Sequence, residues 1–170
     1  MDLNYKEKIP ENFDDNSKVW IYQSNRMFTN TEENSIKVML DNFVQSWNSH
    51  GEKVKGFASL FFGQFIVFIA DETAAGVSGC STDSSVRIIK EIEKTFAVAL
   101  FNRQELAFVI DDKLALIDLP TINKAVQQNQ INAETLYFNN TVLTKKELEN
   151  NWVIPIKKSW LLNRLNLSFT

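Results

Sequence analysis

The stretch Val54-Lys55-Gly56-Phe57-Ala58-Ser59-Leu60-Phe61-Phe62-Gly63-Gln64-Phe65-Ile66-Val67-Phe68-Ile69-Ala70-Asp71 decides the fold. Both halves are rich in aromatic and β-branched residues, and Gly63 sits between them. They read as two strands, Val54 to Phe62 and Gln64 to Asp71, joined in a tight hairpin. Phe57, Phe61, Phe62, Phe65 and Phe68 fall on both faces of this hairpin, so each face needs a covering layer.

On the N-terminal side, Ile36, Met39, Leu40, Phe43, Val44 and Trp47 recur at helical spacing. Thr29 or Thr31 caps this helix, Glu32 and Glu33 favour its positive end, and Ser49-His50-Gly51 stops it, with Gly51 as C-terminal cap. Before it, Val19-Trp20-Ile21-Tyr22 reads as a strand ending at Gln23-Ser24-Asn25-Arg26.

On the C-terminal side, Glu72 to Thr82 reads as a loop, and Asp83 or Ser84 opens a second helix with Val86, Ile89, Ile92, Phe96 and Val98 on its apolar face. A second hairpin runs from Glu105 to Ile110 and Leu114 to Asp118, turning at Asp111-Asp112-Lys113. The order strand, helix, strand, strand, helix, strand predicts an α+β fold, a ferredoxin-like βαββαβ sandwich with an antiparallel sheet and two helices on one face. In the usual strand order for that sandwich, His50 and Cys80 share one end of the sheet, and Arg26 and Arg103 share the other.

Residues 1–17 are polar and without period, an arm that drapes over the domain or is partly loose; residues 18–118 form the sandwich core. Residues 119–170 form a C-terminal extension packed on that core, within a single domain overall. The extension holds helices from Thr121 to Gln127 and Lys145 to Asn151, an extended Tyr137-Phe138, a turn at Asn139-Asn140 and a tail centred on Trp160. Trp152 and Trp160 read as core residues, with an exposed apolar patch as the alternative.

The net charge is −3 and the 18 Lys and Arg are scattered among 21 Asp and Glu, so no basic stripe exists to neutralise a nucleic-acid backbone. The longest apolar run, Phe65 to Ala70, is far short of the roughly 20 residues of a membrane helix, which argues against membrane insertion. A single cysteine and an N-terminus without an apolar leader segment point to a cytoplasmic location. Gly51 and Gly56 have phosphate-loop spacing, but Phe57-Ala58 follow where Lys and Ser or Thr are required, so no ATP-binding loop is present. No cofactor and no metal site are expected, because one His and one Cys would have to recruit carboxylates to complete a shell.

Ser78-Gly79-Cys80-Ser81-Thr82-Asp83 places the lone thiol at a predicted helix start, where unpaired amides favour a thiolate or an anion. Cys80 as nucleophile and His50 as base form one candidate pair; Ser78, Gly79, Ser81, Thr82, Asp83 and Ser84 form the adjoining ligand-binding loop. The competing reading is a packed loop of small residues with His50 closing a helix. Arg26 and Arg103, helped by Ser24 and Asn25, make a second candidate surface, a fork for a carboxylate or phosphate.

Val19-Trp20-Ile21-Tyr22-Gln23-Ser24-Asn25-Arg26, Trp47-Asn48-Ser49-His50-Gly51, the Cys80 loop, Phe138-Asn139-Asn140 and Ser159-Trp160 together resemble a family of small bacterial proteins without an assigned activity. Its members often carry the label "ABC transporter ATPase", yet this sequence lacks the nucleotide-binding signatures that label requires. The resemblance implies a cytoplasmic protein and carries over no residue roles. The residues themselves predict a non-enzymatic domain that binds a small anionic ligand or a protein partner near the Cys80 loop. A thiol-dependent enzyme is the alternative, and a scaffold or homodimer is a third possibility.

Overall fold

The computed structural model describes residues 1–49, 51–71 and 79–165, and of residues 79–82 the backbone alone. The decisive hairpin forms as read. Strand β4 (Lys55–Phe61) pairs with β5 (Phe65–Asp71) in antiparallel register, Phe61 opposite Phe65. The turn requires a left-handed backbone at Phe62 and Gly63, whose φ angles are 53° and 63°, and glycine adopts this at the lower cost.

Strand β1 (Lys18–Gln23) adds to the other edge of β5, giving a three-stranded antiparallel sheet in the order β1-β5-β4. Helix α1 (Asn30–Ser46) and helix α2 (Gly79–Phe96) cover one face of this sheet. Thr29 caps α1 in a full capping box with Glu32. The helix ends at Ser46, three residues before the predicted stop. Asn48–Ser49 (β2) and Glu52–Lys53 (β3) instead make a miniature hairpin, and Gly51, at φ 85°, lies between those two strands rather than in a helix cap. Helix α2 starts at Gly79, earlier than the predicted opening at Asp83 or Ser84. It closes in a Schellman turn, with Ala97 left-handed at φ 51° and the Val98 N–H donating to the Glu93 carbonyl.

The predicted fourth strand, β6 (Glu105–Ile110), does not lie beside β1. It heads a second antiparallel sheet with β7 (Lys113–Asp118), β8 (Leu136–Phe138) and β9 (Val153–Pro155), in the order β7-β6-β8-β9. The β6–β7 turn is a two-residue loop with both Asp111 and Asp112 at positive φ, the geometry that matches strand twist. The 105–110 segment is apolar at consecutive positions, which suits a strand covered on both faces. Leu106 and Phe108 pack against α3 (Ile122–Gln127) and the C-terminal turns, whereas Ala107 packs toward the first sheet.

The layers therefore run helices α1 and α2, first sheet, second sheet, then α3 with the C-terminal turns. All seven residues of β5 are buried: Ile66, Phe68 and Ala70 face the helices, while Phe65, Val67 and Ile69 face the second sheet. Each such aliphatic or aromatic side chain contributes about 1.5–3 kcal/mol on burial. The N-terminal arm is not loose: Tyr5 and Ile9 are buried beside Trp152, and the Tyr5 hydroxyl donates to the carbonyl of Leu148 in α4 (Lys145–Asn151). No described helix is long and apolar enough to cross a membrane.

Candidate functional site

With β6 gone to the second sheet, the outer edge of β1 has no partner strand along most of its length among the described residues. Only its N-terminal end is closed: the Val19 N–H donates to the Leu143 carbonyl and the Lys145 N–H to the Ser17 carbonyl, both at 2.9 Å. At its C-terminal end a chain of side-chain amides bridges to the second sheet. Gln23 Nε2 donates to the Glu105 carbonyl at 2.9 Å, and Gln23 Oε1 accepts from Asn140 Nδ2 at 2.9 Å. Asn140 Oδ1 in turn accepts from the indole of buried Trp152 at 3.0 Å. Each amide uses both its donor and its acceptor side, so its orientation is fixed.

Between these closures lies a groove of about 330 Å³. Trp20, Tyr22 and Phe101 line it on the helix side, and Tyr137, Val142 and Trp160 on the second-sheet side. Phe101, Leu143 and Trp160 are 39%, 68% and 37% exposed, so three of the six large apolar residues left at the described surface gather on this one feature. Scattered singly they would need no explanation, but together they mark a contact surface. Tyr22 holds Phe101 edge to face at 5.5 Å, and Trp160 stands edge-on to Tyr137 at 6.5 Å. Burial pushes the Tyr137 hydroxyl up to about 12, so it stays protonated.

The charged residues of the groove are Arg103 and Glu105. Arg103 is exposed and makes no hydrogen bond or ion pair among the described residues. The Glu105 carboxyl is raised above its usual range, first by partial burial and then by Asp118, its cross-strand neighbour. Arg103 thus brings to the groove a guanidinium that no described residue engages.

The other members of the predicted arginine surface are committed to the fold. Arg26 forks onto Glu32 at 2.8 and 2.9 Å and donates to the Phe96 carbonyl at 2.8 Å, tying the start of α1 to the end of α2. That pairing, with the Thr29 amide, holds the Glu32 carboxyl down at about 2. Asn25 exchanges hydrogen bonds with the backbone of Ala99, and Ser24 is buried against Gln64. The Asn25–Ala99 bonds join the two connections, but Arg103 lines the groove while Arg26 is held by Glu32 and Phe96.

His50 and Ser78, members of the predicted thiol site, lie outside the described residues. The backbone of Gly79, Cys80, Ser81 and Thr82 forms the opening of α2, Asp83 is exposed, and Ser84 faces a cleft between α1 and α2 together with Asn48 and Arg87.

Gln23, Asn140, Phe101 and Leu143 were not singled out by sequence as site residues. They come from three distant parts of the chain, and the signal within reach was the pair Asn139-Asn140, read only as a turn. Comparison with protein-family models, with curated proteins and with solved structures gives no match.

Proposed function

We propose that this protein is a non-enzymatic binding module whose binding surface is the groove along the outer edge of β1, taking an anionic ligand with an apolar body. The observation that carries this reading is the gathering of exposed Phe101, Leu143 and Trp160 around an Arg103 that no described residue neutralises. A guanidinium of this kind prefers a carboxylate, which it can bind in two places at once. The first sheet with α1 and α2 reads as a split β-α-β unit of the ferredoxin-like kind, its fourth strand relocated to the second sheet, and the groove occupies the place that strand would fill.

The test is a titration with 3-phenylpropionate, followed by backbone amide shifts. A body of about a dozen heavy atoms at about 0.3 kcal/mol per atom gives a millimolar Kd. Shifts confined to residues 20–23, 100–105 and 137–143, weakened about tenfold in Arg103→Ala, support the reading. Absence of shifts there at saturating ligand removes it.

The thiol reading is kept as the second proposal, favoured by one observation: Cys80 lies in the opening turn of α2, where backbone amides lack helical partners. Alkylation by iodoacetamide across pH tests it. A midpoint well below the usual thiol value, shifted by His50→Ala, supports a nucleophile and base; an ordinary or inert thiol excludes them.

A further inference from the structure

The backbone that floors the groove says what shape of ligand fits it. Residues in an antiparallel strand alternate, turning N–H and C=O first to one neighbour and then to the other. The Val19 N–H points away from β5, to Leu143. Two residues on, Ile21 turns its N–H and C=O to the same outer side, and there they meet no backbone partner among the described residues. The segment that could have paired with them turns back on itself, the Asn140 N–H donating to Phe138 and the Val142 N–H to Asn139. The bridge between Lys18 and Thr144 is accordingly a single isolated one.

Resting on the binding reading above, we infer that the occupant is an extended peptide segment, which adds a strand to β1 by hydrogen bonds to Ile21 and sets its carboxylate on Arg103. From Val19 to Gln23 the edge spans about 13 Å at roughly 3.3 Å per residue, room for about four residues of added strand. Successive side chains of such a strand point to opposite faces. One set falls on Trp20, Tyr22 and Phe101, the other on Tyr137, Val142 and Trp160. The groove thus has apolar walls on both sides of a backbone that no described strand pairs, the arrangement that strand addition uses: main-chain bonds supply affinity and alternate pockets supply selectivity. Charge fixes the end group, because Arg103 lacks an ion-pair partner among the described residues.

The probe is the acetylated tetrapeptide leucine-threonine-valine-phenylalanine with a free carboxylate. It is compared with its C-terminal amide and with a form N-methylated at both the threonine and the valine nitrogens, which keeps the side chains and removes one central ladder donor in either register. Binding is read from amide shifts and from hydrogen exchange at Ile21. Strand addition predicts slowed exchange at the Ile21 amide and about tenfold weaker binding for each altered peptide. Equal binding of the methylated peptide, or binding without protection of Ile21, overturns strand addition while leaving the groove as a binding site. Failure of the tetrapeptide where 3-phenylpropionate still binds has the same meaning. Failure of both probes removes the binding reading as well.

Discussion

The Cε3–Cζ3 edge of the Trp47 ring lies against Gly56, so closely that a Cβ there would overlap it. Trp47 is almost completely buried among Trp20, Phe43 and Phe68 and cannot retreat. Gly56→Ala is therefore expected to destabilise by about 1–3 kcal/mol, the usual range for overpacking. Urea denaturation checks this; an unchanged midpoint would show that the ring moves freely.

Arg26 and Glu32 give a pH dependence with a defined sign. The folded Glu32 carboxyl is depressed from 4.5 to about 2, so its contribution is fully present above 4.5 and lost as pH falls through about 2. Carbon shifts of the Glu32 carboxyl should titrate near the lower value in the native protein. In Arg26→Ala they should return toward the ordinary carboxylate range, and an unmoved midpoint would assign the depression to the helix start alone.

Glu105 has the opposite sign. Its folded carboxyl is raised by partial burial and by Asp118, so ionisation costs stability: the cost is absent below the unfolded value and complete above the raised one. Glu105→Gln is expected to stabilise at neutral pH by about 0.2–1 kcal/mol, the scale of directly opposed like charges in a sheet. Thermal unfolding at neutral pH and at about pH 3 distinguishes this from a general gain, because the difference should vanish in acid.

Ala97 holds a left-handed conformation at the end of α2, where a Cβ is penalised. Ala97→Gly relieves that strain against a greater loss of chain freedom, for a net gain of about 0.5–1 kcal/mol. A Tm raised by roughly 1–4 °C fits a chain of this size. A lowered Tm would mean that the Ala97 methyl packs well enough to offset its backbone.

The local elements were legible because their signals are local. Gly63 between two apolar runs marks one turn, Thr29 with Glu32 marks a helix start, and Lys145 to Asn151 forms the helix expected of it. The start of α2 differs from the predicted one because Ser78 and Ser81 upstream are cap-competent residue types just as Asp83 and Ser84 are, and nothing in their identity ranks them. The destination of Glu105 to Ile110 was hidden for a different reason. Which edge a strand joins depends on contacts with segments such as Leu136 to Phe138, whose residues read as extended but are too few to say which strand they pair with. The groove was hidden with it, since it exists only because that strand went elsewhere; of its residues, sequence singles out Arg103 for an anion fork and Trp160 for the core or an exposed apolar patch.

Strand β5 serves as a party wall, its two sides plastered by different sets of neighbours. Neither storey can be taken down while the other stands, since removing either bares half of a strand that has no polar face to show to water. The indoles of Trp47 and Trp152, one on each side, should for this reason lose their native fluorescence in a single coincident transition. An occupant clipped to β1, which is bonded along its whole length to that wall, would be felt in both rooms.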